Sequence, residues 1–196
     1  MKYPEFYDQV EHIILKDDLS AFLGSSEEGI IDFSYLDMVK VAGHSCVVIS
    51  GAFLMTLKGL KALYGTELPK RGEIKVEIRD RLGEGNIGVF GQVYSNITGA
   101  TVNTGFGGIG PNFNRRGLMS YGANIESNVR FTRLDTNQSI DVFYYPQKVV
   151  SPGDIMQAAI GPNATEEGRV AFPRLWQEMV KTIFDNADLI IELRTV

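Results

Sequence analysis

The period of the apolar positions changes along the chain, from helical spacing in the first third to alternation in the middle. Phe6, Val10, Ile13 and Ile14 fall near helical spacing behind Pro4, whose missing N–H is harmless in a first turn, so residues 4–15 predict an amphipathic helix. Asp17 or Asp18 can cap a short second helix ending before Gly24, and Ser25-Ser26-Glu27-Glu28-Gly29 reads as a loop. Ser34 and Asp37 have the spacing of a capping box, with Leu36, Val39 and Val41 behind them, so a short helix runs into Ala42-Gly43. Beyond Gly43, the set Val48, Ala52, Leu57, Leu60 and Leu63 predicts a longer helix over 46–64, stopped by Gly65.

Then the period becomes two. Ile74, Val76 and Ile78 alternate with Lys75, Glu77 and Arg79, the pattern of a half-buried strand. Residues 83–110 are glycine-rich and carry no clear period. Residues 129–134 and 139–145 flank Asp135-Thr136-Asn137-Gln138 and predict an antiparallel hairpin. A helix over 174–186 follows Pro173, and 189–196 alternates like a closing strand. Helices early and strands late favour an α+β fold, with N-terminal helices packed on a mostly antiparallel sheet, over a doubly wound parallel one. No repeat, low-complexity tract or linker divides the sequence, so residues 1–196 read as one domain.

Composition narrows the function classes. With 196 residues, 44% of them hydrophobic, the chain can bury a sizeable core. A net charge of -5 offers no basic face for phosphates, which excludes nucleic acid as a main partner. The start, Met1-Lys2-Tyr3-Pro4-Glu5, is acidic and aromatic rather than basic and apolar, and Lys58 and Lys61 interrupt the longest apolar stretch. Neither a signal peptide nor a membrane span is expected, and a soluble, cytoplasmic protein is. A single cysteine rules out an intramolecular disulfide and suits a reducing compartment. The sequon asparagines Asn96, Asn137 and Asn163 then mean nothing for glycosylation.

That cysteine is Cys46, two residues after His44, at a glycine-bounded helix start. The positive end of the helix dipole suits a thiolate there, the form that binds metal or attacks an electrophile. His44 can add a nitrogen to the same ion or serve the thiol as base. By spacing alone the plainer reading, a core thiol and a hydrogen-bonded turn histidine, has the better odds. His12, the other histidine, is a weak contributor. Gly105-x-Gly107-x-x-Gly110 matches the dinucleotide fingerprint as text, but Pro111-Asn112-Phe113-Asn114-Arg115-Arg116 follows where a helix should. The better reading is a flexible loop, Thr104 to Gly110, with Arg115 or Arg116 available to an anion. Phe143, Tyr144, Tyr145 and Trp176 read as core aromatics.

The run Tyr35-Leu36-Asp37-Met38-Val39-Lys40-Val41-Ala42-Gly43-His44-Ser45-Cys46, followed by Gly51-Ala52-Phe53-Leu54 and Gly59 to Leu63, resembles the opening motif of the formylmethanofuran dehydrogenase FmdE family. The resemblance covers roughly residues 30–145 and is strongest over 43–63. It implies that family's α+β core, a homodimer, and a metal held by His44 and Cys46 beside a small-molecule cavity. Gly43, Ser45, Thr104, Gly105, Gly107 and Arg115 are the expected ligand-binding residues around it. Zinc is the first metal expected, with another transition ion or a haem iron as alternatives. The chain departs from the motif at Val47, where the family usually has proline, and at Ala100 and Thr104, where many members carry cysteine and lysine. With one cysteine it has no C-terminal zinc finger, so it reads as a divergent stand-alone member. Two alternatives stay open: a cysteine-dependent enzyme acting on a one-carbon or carbonyl substrate, and a non-catalytic cofactor-binding accessory protein.

Overall fold

Pro4 does open a helical turn, but only a 3-10 one, Glu5–Gln9. In the computed structural model, which describes residues 2–162 and 164–196, the chain then extends into β1, Ile13–Lys16. Met1 and Asn163, one of the sequon asparagines, lie outside the described residues. The predicted helix over 4–15 fails because Ile13 and Leu15 turn inward while Ile14 and Lys16 turn out, an alternation that the helical count also fitted. Asp17 caps α1, Asp18–Phe22, accepting from the backbone N–H groups of Leu19 and Ser20. The segment read as a loop is a 3-10 turn, Glu27–Gly29, feeding β2, Ile30–Phe33, which pairs antiparallel with β1.

The expected capping box opens α2, Tyr35–Ala42: Ser34 Oγ accepts from Asp37 N, and Asp37 accepts from Ser34 N at 2.9 Å. Gly43 closes it at φ 78°, a left-handed conformation that favours glycine. The long helix follows as α3, Val47–Tyr64, with Gly65 as its stop. By length and composition α3 is apolar enough to cross a membrane, but 78% of it is buried inside the fold. Its apolarity is that of a central core helix.

β3 is Ile74–Ile78, as predicted. Within the glycine-rich stretch lies a missed helix, α4, Ile87–Thr98, and after it a short missed strand, β4, Met119–Tyr121. The expected hairpin forms from β5, Val129–Arg133, and β6, Ser139–Tyr144. Two further helices follow, α5, Pro152–Ile160, and α6, Glu166–Asp185. The predicted start at 174 was too late: Thr165 caps α6 by accepting from Gly168 N, and Pro173 sits inside the helix. A last short helix, α7, Ala187–Ile190, leads into β7, Ile191–Thr195.

Among the described residues the strands form the β1-β2 pair and a five-stranded sheet, β4-β3-β5-β6-β7. Only β3 and β4 run parallel, so the sheet is mostly antiparallel and the fold is α+β. One face of the sheet carries α3, which packs on β5, β6 and β7 and is flanked by α2, α4 and α6. Phe53, Leu60, Ile74, Val129, Phe131 and Val142 meet in the core between them.

Helix and sheet approach closely at Gly51, where an added Cβ would stand 2.3 Å from the ring of Tyr144. That ring is fixed, because its hydroxyl donates to Val47 O at 2.9 Å. Gly51→Ala therefore gains about 1 kcal/mol of helix propensity but meets about 1–3 kcal/mol of overpacking. We expect a net loss of about 1 kcal/mol in urea unfolding; a variant more stable than wild type would show that Tyr144 moves freely.

Candidate functional site

The turn between α2 and α3 is built from four residues with different surroundings. Gly43 donates its N–H to Val39 O at 2.8 Å and closes α2. His44 is exposed, and its Nδ1 lies 3.1 Å from Ala42 O. Ser45 is buried, with its Oγ 2.8 Å from the Tyr35 hydroxyl, and its carbonyl accepts from Trp176 Nε1 at 2.9 Å. Cys46 is half-buried in extended backbone at the N-cap of α3, where its side chain makes no capping bond. Its carbonyl accepts from Ser50 N and Ser50 Oγ, both at 3.0 Å. The exposed, buried, half-buried order of residues 44 to 46 is that of a segment pinned by its middle side chain.

The surroundings are aromatic. Tyr35 packs edge-on against Tyr7, Phe53 and Phe184. Burial pushes the Tyr35 and Tyr144 phenols far above the usual value, and nearby Cys46 opposes their ionisation further. Both stay neutral and act through their hydroxyls, one on Ser45 and one on Val47 O. Tyr144 and Trp176, read from sequence as core mass, thus also hold the turn in place. No local signal could have assigned them, since Trp176 lies 131 residues from Ser45.

The other expected ligand residues lie elsewhere. Near the start of α4, the Phe90 ring is 6.5 Å from that of Tyr144, on the His44–Cys46 side. Toward its other end, about 10 Å along the axis, Arg71 donates to Asn96 O and Ile97 O. Arg115 belongs to that far end, where its Nη2 meets Asp17 Oδ1 at 2.7 Å while Arg71 Nη1 holds Asp17 Oδ2 at 2.8 Å. Arg115 is buried; its Nη2 is committed to Asp17, whereas its Nη1 has no hydrogen-bond partner among the described residues. The loop it closes contains Thr104, Gly105 and Gly107; Arg115 N donates to Phe106 O, and Arg116 Nε donates to Gly105 O. His12 sits just before β1, with Nδ1 2.8 Å from Asp32 Oδ1. Clefts occur on other faces: one of 280 Å³ is lined by Phe6, Val10, Leu54 and Phe184, and one of 90 Å³ by Arg71, Gly72, Phe113 and Arg115.

No family model matches the chain, and no curated protein matches it significantly. Among solved structures it is similar to a tungsten formylmethanofuran dehydrogenase FmdE-like protein from Syntrophus aciditrophicus. The two share 18% identity over 84% of this chain and 72% of that one, with a TM-score of 0.46.

As for donors, His44 and Cys46 supply an imidazole and a thiol, a set that suits zinc and ions like it. Among the described residues no cluster of three or more His, Cys, Asp or Glu side chains able to hold a metal ion occurs. His44 and Cys46 are thus two donors two residues apart, with no third such side chain grouped with them among the described residues.

The Asp17 cluster yields a pH dependence. Burial alone would raise the Asp17 carboxyl, but the two guanidiniums reverse this and hold it below the usual carboxylate range. A carboxyl depressed on folding adds stability that is full above the unfolded pKa, about 4, and is lost as pH falls through the lower folded value. Asp17→Asn should lose about 3 kcal/mol at neutral pH, because two cations then share a buried site without their counterion. Its deficit relative to wild type should shrink below about pH 4. Denaturant unfolding across that range checks both, and a deficit independent of pH would exclude the ion pair as its source.

Proposed function

We propose that residues 43–46 form an open metal site, in which His44 Nε2 and Cys46 Sγ bind one zinc-type divalent ion in a divergent relative of the formylmethanofuran dehydrogenase FmdE family. The observation that carries this reading is the contact of His44 Nδ1 with Ala42 O. A carbonyl can only accept, so in the neutral ring Nδ1 carries the proton and Nε2 keeps its lone pair. Backing by a carbonyl is how metal-ligating histidines are commonly oriented. His44 is exposed, so that lone pair is accessible at the surface.

Cys46 completes the pair by losing its proton on binding, which makes affinity rise with pH. Its sulfur is not spent on capping α3, and the neighbouring phenols are neutral, so no fixed anion competes with it for the ion. The aromatic side of the turn is filled by rings packed on one another, which favours an ion over a flat macrocycle such as haem. Two protein donors leave positions for water or a small ligand, and a bound ion there supplies a Lewis-acidic centre with exchangeable ligands.

Cobalt(II) titration of the metal-free chain tests the site, because a thiolate on cobalt gives a near-ultraviolet charge-transfer band. We expect the band at up to one cobalt per chain in wild type, its loss in Cys46→Ala, and affinity at least about tenfold weaker in His44→Ala. Equal metal uptake by all three proteins would overturn the assignment.

A further inference from the structure

The 90 Å³ cleft beside the Asp17 cluster holds a donor that the cluster does not use. Asp18, Arg71, Gly72, Glu73, Phe113 and Arg115 are among the residues that line it. Arg115 is only 5% exposed, yet its Nη1 meets no acceptor among the described residues, and a buried donor is costly to leave unmet. Two glycines of positive φ flank that nitrogen. A Cβ on Gly72, at φ 86°, would stand 1.2 Å from it, and one on Gly99, at φ 76°, would stand 3.0 Å away. Glycine at both positions leaves the guanidinium its room. On the same cleft Phe113 holds a left-handed φ of 64°, unusual for a bulky residue, with its ring 5.5 Å from that of Phe22.

The charges around the cleft divide by depth. Asp17 joins two guanidiniums but balances only one, so Arg71 and Arg115 leave one positive charge on the buried side. Glu73 is shared with Lys70 at 3.6 Å, whereas Asp18 is exposed and makes no ion pair among the described residues, which leaves one negative charge at the surface. We propose that this cleft binds a small zwitterion of the α-amino-acid class, its carboxylate accepting from Arg115 Nη1 and its ammonium facing Asp18. A plain anion would meet Asp18 and Glu73, and a plain cation would meet Arg71 and Arg115. A molecule that carries both charges on neighbouring carbons answers both walls. At about 30 Å³ per water the cleft has the volume of about three waters, so the ligand has few atoms beyond its two charged groups. The inference does not rest on the metal reading.

Isothermal titration calorimetry of the full chain with glycine tests the site, with acetate and methylammonium as controls that carry one charge each. Glycine binds wild type at millimolar concentration or below, and each control binds at least about tenfold more weakly. Asp18→Asn, an exposed change outside the Asp17 ion pairs, weakens glycine binding at least about tenfold while circular dichroism stays that of wild type. Arg115→Lys keeps a cation for Asp17 but removes the second nitrogen, and it abolishes binding. Should that variant fail to fold, Asp18→Asn and the two controls decide alone. A wild type that does not bind glycine, a control bound as tightly as glycine, or a folded variant of either kind with wild-type affinity would each overturn the site.

Discussion

A helix buried over most of its surface sets the terms for the rest of the molecule. α3 buries Ile49, Phe53, Leu54, Met55, Leu57 and Leu60, side chains that point around most of its circumference, and only Lys61 and Ala62 near its end are exposed. Burying a single residue of this kind is worth about 1.5–3 kcal/mol, so exposing any one side of α3 would forfeit several such terms. The fold answers by placing β5, β6 and β7 beneath it and α2, α4 and α6 around it. The N-terminal end of α3 consequently emerges where those neighbours meet, and Tyr35, Tyr144 and Trp176 reach it from three elements.

This explains an oddity of the turn. The N-cap of a helix is ordinarily Ser, Thr, Asp or Asn, whose side chain satisfies a free N–H for about 1 kcal/mol. Here the position is Cys46, which makes no such bond, while a serine one residue earlier turns inward. Ser45 ties the turn to α2 through Tyr35 and to α6 through Trp176, and Tyr144 ties the first helical residue to the sheet. Tertiary hydrogen bonds replace the local cap, and the half-buried Cys46 side chain packs against the edge of the core two residues after the exposed His44.

What could be read from the sequence follows how local its cause was. The capping box at Ser34 and Asp37, the Asp17 cap, the glycine stops at 43 and 65, and the alternation at Ile74, Val76 and Ile78 all act within a few residues, and all appear in the structure. The N-terminal helix was misjudged because Phe6, Val10, Ile13 and Ile14 fit a helix and a 3-10 turn plus strand equally well; pairing with β2 decides between them. α4 was hidden by Gly88 and Gly91, and α6 was cut short at Pro173, because residues weak in isolated helices are tolerated where tertiary contacts hold the helix. The turn at His44 and Cys46 was legible from its punctuation, whereas its supports at Tyr144 and Trp176 were not, being long-range.

Arg115 shows the same limit from the other side. Its position after a glycine-rich run suggested a ligand loop, yet its partner is Asp17, 98 residues earlier, which no spacing rule connects to it. Once paired, Arg115 and Arg71 fasten the 99–117 segment and the β1–α1 corner at one end of α4, while the His44–Cys46 turn lies at the other. The glycine loop's own bonds run to Arg115 and Arg116 and not to that turn. The elements in direct contact with it are α2, β6 and α6, through Tyr35, Tyr144 and Trp176. A small displacement of α6 moves the Trp176 indole that holds Ser45 O, between His44 and Cys46, so α6 is the element best placed to shift that turn.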